Sequence, residues 1–274
     1  MNISFKKRGA LRGFGTAVIV CAVLGALLRT LSLFFFYDSD IGYYSHGTPL
    51  PVIVNALIIV AFIGCALICF IPRISITPDT FGESRVVDIL YLIPCLISAY
   101  AFVAQIYLVS QYSNIGLAIP KMQLLLVVLN AVAVIFFALS TCRTRVKPTL
   151  LIISGILTML WLVLMLVSLY FDMYVQINSP NKTLMAFALV AAILFLSGEL
   201  RLSIDDKKYG VRLFSSAIAI ILIASSAVPS IIAEFGGAFG DTYSATLGDT
   251  VCLSLLFPVC ARFIKLCFGK KQAA

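Results

Sequence analysis

Phe14–Phe36 reads FGTAVIVCAVLGALLRTLSLFFF, and this stretch decides the fold. It is apolar almost throughout and is as long as a helix that crosses the roughly 30 Å hydrocarbon core of a bilayer, which needs about 20 residues. Lys6, Lys7, Arg8 and Arg12 precede it, and Tyr37, Asp38 and Asp40 follow it. A basic start before an apolar run also resembles a secretory leader. The run is too long for one, contains Arg29 and lacks a clean small-x-small cleavage site, so it is expected to stay as a first span that directs insertion.

The same pattern recurs along the chain. Apolar stretches cover Phe14–Phe36, Leu50–Ile71, Val87–Ser110, Met122–Thr141, Thr149–Phe171, Thr183–Leu200, Val211–Ala233 and Thr250–Phe268. In lipid every backbone amide needs an internal partner, which leaves helices or a closed barrel. Barrel strands would alternate apolar and polar residues over about 10 positions. These stretches do not alternate, so the predicted fold is all-α, a transmembrane bundle of eight spans forming a single integral membrane domain over residues 1–274. Of the 274 residues 61% are hydrophobic and 12% charged, which leaves material for short connections but none for a soluble insertion. Successive odd-numbered spans suggest four hairpins. The similar ends Leu31-Ser-Leu-Phe-Phe and Val167-Ser-Leu-Tyr-Phe would also fit two duplicated four-helix halves.

Lys and Arg collect in every second connection. Arg73 and Arg85, then Arg143, Arg145 and Lys147, then Arg201, Lys207, Lys208 and Arg212, then Arg262, Lys265, Lys270 and Lys271 join the N-terminal group, so that 17 of the 20 fall on one side. The positive-inside rule predicts that both termini are cytoplasmic and that the protein is a multi-pass component of the cell membrane. The net charge of +8 is then a topology signal that also favours anionic lipids, and no nucleic acid partner is implied. Tyr37, Tyr43, Tyr44, Tyr107, Tyr112, Tyr170, Tyr174 and Tyr243 gather at the outer interface, where such rings anchor helices.

Polar groups within spans are the candidate site. An ionisable residue at membrane depth is costly, at about 2.5–3.5 kcal/mol for a central Arg on insertion scales. Arg29 lies about 10 Å below the outer end of its span at 1.5 Å per residue. Asn55, Gln105, Asn130 and Ser226 fall at comparable depth, with Glu234 at the outer end of the seventh span. The expected ligand-binding set is therefore Arg29, Asn55, Gln105, Asn130, Ser226 and Glu234, with Arg29 receiving an anion and Glu234 as its charge partner. The competing reading is a set of interhelical hydrogen bonds worth about 0.6 kcal/mol each, with Arg29 in a structural pair or reaching towards headgroups. Small residues Ser215, Ser216, Ala217, Ala219, Ala224, Ser225, Ser226 and Ala227 mark the seventh span for close packing. The loop Phe235–Gly240 after it is glycine-rich, and Pro94, Pro229 and Pro258 are candidate kinks. Asp88 and Glu199 sit at inner span ends beside basic residues and read as surface ion pairs of little energetic weight.

Several chemistries lack their residues. There is no Gly-rich phosphate loop ending in Lys-Ser/Thr. The single His, His46, cannot supply a zinc triad or a haem ligand pair, and no nucleophile signature accompanies it. The eight cysteines lie outside predicted outer loops and read as packing residues. No catalytic residue, metal ligand or cofactor is assigned. Asn181-Lys182-Thr183 matches a glycosylation sequon but abuts the bilayer. The function this leaves is a small-solute transporter or permease, or a membrane subunit of one. Its partners would be the lipid bilayer, a small solute or anionic ligand, and other membrane subunits. The alternatives are a scaffold or sensory subunit without a solute path and, further off, a membrane-embedded lipid-processing enzyme.

Overall fold

The computed structural model describes residues 2–38, 41–70, 85–114, 120–171, 179–202, 209–239 and 247–269. Arg73, Tyr174, Asp205, Asp206, Lys207, Lys208, Gly240, Tyr243, Lys270 and Lys271 lie outside them, as does Asp40. The helices are α1 (Asn2–Phe36), α2 (Pro49–Phe70), α3 (Arg85–Leu90), α4 (Leu92–Asn114), α5 (Lys121–Thr141), α6 (Pro148–Phe171), α7 (Pro180–Leu202), α8 (Tyr209–Phe235) and α9 (Leu247–Phe268). A short 3-10 turn, Arg143–Arg145, joins α5 to α6. Among the described residues eight helical segments are long and apolar enough to cross a membrane, α3 and α4 together forming one of them.

The helix ends follow from local chemistry. The 35 residues of α1 extend about 52 Å at 1.5 Å per residue, so its basic first turns project beyond a hydrocarbon core of about 30 Å. The third span breaks at Tyr91, between α3 and α4. Pro94 has no amide to give the carbonyl of Leu90, and the chain tightens instead, with the Tyr91 amide donating to the Asp88 carbonyl at 3.2 Å. The first connection carries a short hairpin of two-residue strands, β1 (Tyr37–Asp38) with β2 (Tyr43–Tyr44), in which Tyr37 pairs with Tyr44. Gly42 supports its return at φ 75°.

Helices α4, α5, α6, α7, α8 and α1 pack in succession, and α9 touches α1, α3, α4, α7 and α8 from within that arc. Helix α2 lies outside, against α1 and α8. Each hairpin packs on itself: α1 with α2, α4 with α5, α6 with α7, α8 with α9. The first four spans do not pack as one half, because α1–α2 rests on α8 while α4–α5 rests on α9 and α6. Helix α8 is the hub. Of its membrane window 83% is buried, against 22% for α2. Its small residues permit this: Ala217, Ala219, Ser225, Ser226 and Ala227 are closed off from the surface. At Gly25 the backbones of α1 and α8 come so close that a β-carbon would collide with the Ser225 hydroxyl.

Successive spans run in opposite directions. We call near the end of the bundle where α1, α3, α6 and α8 begin, and far the opposite end.

Candidate functional site at the far end of the bundle

Arg29 is carried on α1 among apolar neighbours and is only 2% exposed. Its Nη2 donates to Asn181 Oδ1 at 2.7 Å, and its Nη1 donates to the backbone carbonyl of Ser225 at 3.0 Å. Both acceptors are neutral. One belongs to the first turn of α7 and the other to α8, so the guanidinium ties three helices together. Hydrogen bonds to a charged group contribute about 1.5–3 kcal/mol each, enough to offset the cost of placing Arg at this depth. The positive charge itself is left without a carboxylate among these contacts.

Several polar atoms around this node have no aligned partner. Asn181 Nδ2, Ser225 Oγ and Tyr37 Oη are buried and make no hydrogen bond among the described residues. The Tyr37 hydroxyl faces the side chains of Asn181 and Ser179, and burial outweighs both in pushing its pKa up. Ser179 precedes α7; its carbonyl accepts from the Thr183 amide at 3.0 Å, and its hydroxyl donates to the Gly42 carbonyl at 3.3 Å.

A cleft opens onto this node between α1, α2 and the start of α7. Arg29, Ser32, Tyr44, Pro51, Asn55 and Pro180 line it, and Val54 and Leu184 give it apolar walls. Its enclosed volume is about 20 Å³, room for about one water molecule, before it opens into the space at its mouth. Arg29 shares this lining with the Tyr44 phenol and the Asn55 amide, while the Ser32 hydroxyl donates to the Leu28 carbonyl at 2.8 Å.

The expected site residues separate into groups. Arg29 and Asn55 share the cleft, Asn55 on its exposed rim. Ser226 is fully buried on the α8 face towards α7, with its hydroxyl 3.9 Å from Met185 Sδ. Gln105 and Asn130 pair with each other instead, Asn130 Nδ2 donating to Gln105 Oε1 at 3.1 Å across α4 and α5. Glu234 is exposed near the end of α8, and the contacts of Arg29 go to neutral oxygens instead. The sequence did not point to Asn181, because its sequon drew attention to a surface role. Asn181 is 1% exposed and engaged by Arg29. The glycine-rich segment after α8 folds back over the hairpin: Phe239 is buried, with its ring 5.7 Å from that of Tyr37.

The near end holds a second charged node, which corrects the surface reading of Glu199. Glu199 is 5% exposed. Arg262 grips its carboxylate with both arms, Nε to Oε1 at 2.8 Å and Nη2 to Oε2 at 2.6 Å. Arg143 adds Nη1 to Oε2 at 3.2 Å and Nη2 to the Glu199 carbonyl at 2.8 Å. The bridge joins α7, α9 and the α5–α6 turn. Arg212, Tyr91 and Asp88 lie within electrostatic reach of it. The sequence signal was present: Met185, Leu189, Ala192, Leu196 and Glu199 continue one helical stripe of buried positions, and a carboxylate on such a stripe faces the bundle.

Among the described residues no three or more His, Cys, Asp or Glu side chains converge as metal ligands, and all eight cysteines are free thiols. Comparison of the chain with protein-family models, with curated proteins and with solved structures finds no match.

Proposed function

We propose that this multi-pass membrane protein is a carrier of a small anionic solute, or the membrane subunit of one, and that the solute docks on Arg29 from the far side. The observation that carries the reading is a buried Arg29 whose guanidinium is met by neutral acceptors and which lines a small cleft. A carboxylate partner would cancel the charge of an Arg at this depth. Here the counter-charge is missing from its contacts. The Tyr44 and Asn55 side chains around it supply donors suited to a carboxylate or similar anion, whereas the Ser32 hydroxyl already donates to the Leu28 carbonyl.

In this reading the whole chain acts as one membrane domain in the cell membrane. The basic near end is cytoplasmic with both termini, and the far cleft faces outwards. The lipid bilayer surrounds it, and other membrane subunits are its natural partners if it does not work alone.

The test is thermal unfolding of the purified protein in detergent during titration with acetate, larger monocarboxylates and inorganic phosphate. A saturable rise in Tm that Arg29→Gln abolishes is the expected result, since a ligand of the folded state stabilises it by mass action. A wild-type Tm insensitive to every anion, or a response unchanged in Arg29→Gln, would overturn the reading.

A further inference from the structure

The Glu199 node lies at the opposite end of the same helices. Asn181 and Glu199 are about 27 Å apart along α7 at 1.5 Å per residue. Between them the buried face of α7 is apolar, with Met185, Leu189, Phe195 and Leu196 each 1% exposed or less. The bundle therefore holds two cationic stations separated by a dry segment. The far station has a guanidinium and no carboxylate in its contacts. The near station has a carboxylate clasped by two guanidinium groups, one of them in the two-armed geometry that suits any carboxylate or phosphate.

We infer that the near arginine cluster is a second anion-binding site, and that Glu199 is its tethered occupant in this conformation. The inference rests on the anion-carrier reading of the far cleft. A free anion that reaches Arg262 and Arg143 takes over the bonds now made to Glu199. The Glu199 side chain links α7 to α9 by an ion pair here, and the exchange removes that link at the near end. Filled by Glu199, the station ties α7 to α9 and to the α5–α6 turn at the near end. Two arginines facing one carboxylate also explain why the node tolerates burial. A single pair in a low-dielectric interior seldom recovers its desolvation cost, whereas the second arginine and the Glu199 backbone carbonyl satisfy further donors and acceptors.

The experiment is chemical rescue. Glu199→Ala removes the tethered carboxylate and leaves space for a free one. Thermal unfolding of purified Glu199→Ala is followed with acetate as the probe and with the neutral isostere acetamide as control, at matched ionic strength. We expect acetate to raise Tm by at least about 2 °C and acetamide to leave it unchanged. Arg262→Met added to Glu199→Ala should abolish the acetate effect. Arg29→Gln added to Glu199→Ala should preserve it, so that a failure of the far cleft and a failure of the near station give different results. If Glu199→Ala is too unstable to purify in ordinary buffer, extraction in acetate against acetamide reads the same property as yield. Equal effects of the two additives, rescue that survives Arg262→Met, rescue that Arg29→Gln removes, or recovery of the protein in neither additive would each overturn the inference.

Discussion

Arg29 of α1 donates to the amide oxygen of Asn181, the second residue of α7, at 2.7 Å, across 152 positions of sequence. The acceptor is neutral, so the pair fixes the geometry of the guanidinium without cancelling its charge. That separation of position from charge is the basis of the anion-site reading, and it can be altered by one atom.

Asn181→Asp replaces the neutral acceptor with a carboxylate of the same shape. The Arg29 charge is then neutralised from within, and the pair strengthens by about 1 kcal/mol or more, as charge-assisted bonds exceed neutral ones. The variant should unfold at a higher temperature than the wild type and lose its stabilisation by acetate. An Asn181→Asp protein that keeps the full acetate response would show that the anion does not use Arg29.

The close approach of α1 and α8 predicts a non-additive pair. Gly25→Ala drives a methyl group into Ser225 Oγ and should cost about 1–3 kcal/mol, the usual range for overpacking. Ser225→Ala removes a buried hydroxyl that has no partner, which is nearly neutral. The double variant should recover most of the loss in denaturant unfolding, giving a coupling of at least about 1 kcal/mol. Strict additivity would mean that these helices are not in contact at this level.

Gln105 and Asn130 are expected to be structural. Their mutual hydrogen bond joins α4 to α5, and a double-mutant cycle with Gln105→Leu and Asn130→Leu should yield a coupling near 0.6 kcal/mol and below about 1.7. Neither change should alter the response to acetate. A loss of that response in Asn130→Leu would return these residues to the ligand site.

Tyr37 gives a pH dependence with a definite sign. Burial raises its pKa above 10.0 in the folded protein. The neutral phenol is therefore favoured by folding, and its contribution is fully present below the unfolded value. It declines as pH rises from about 10 through the folded pKa, because the unfolded chain ionises first. Tm measured from pH 9 to 11 should fall more steeply for the wild type than for Tyr37→Phe. Parallel profiles would mean that the phenol is solvated.

The membrane fold was legible in the chain because its signal is local. A run such as Phe14–Phe36 needs lipid whatever surrounds it, and the eight expected spans match the helices to within a few residues apart from the start of α1. The packing of the seventh span was legible too, since small residues such as Ala217 and Ser225 declare close approach by size alone. The sequence also showed the depth of Arg29, because depth is a count of residues along one helix.

Partnership was not legible. Gln105 and Asn130 share a depth with Arg29 but pair across α4 and α5, and Glu234 was the expected counter-charge where Asn181 and the Ser225 carbonyl are the acceptors. Each residue turns a helix face by about 100°, so a small rotation decides whether a side chain meets a neighbour or lipid. Glu199 shows the same limit: its distance from the span end suggested a surface pair, while its place on the buried stripe of α7 delivers it to Arg262. The sequence by itself determined how many times the chain enters lipid and how deep each polar group lies, since hydropathy and rise per residue act within one helix. Only the tertiary structure decided which of those groups meet, because the rotation and neighbours of each helix are set by packing the whole bundle.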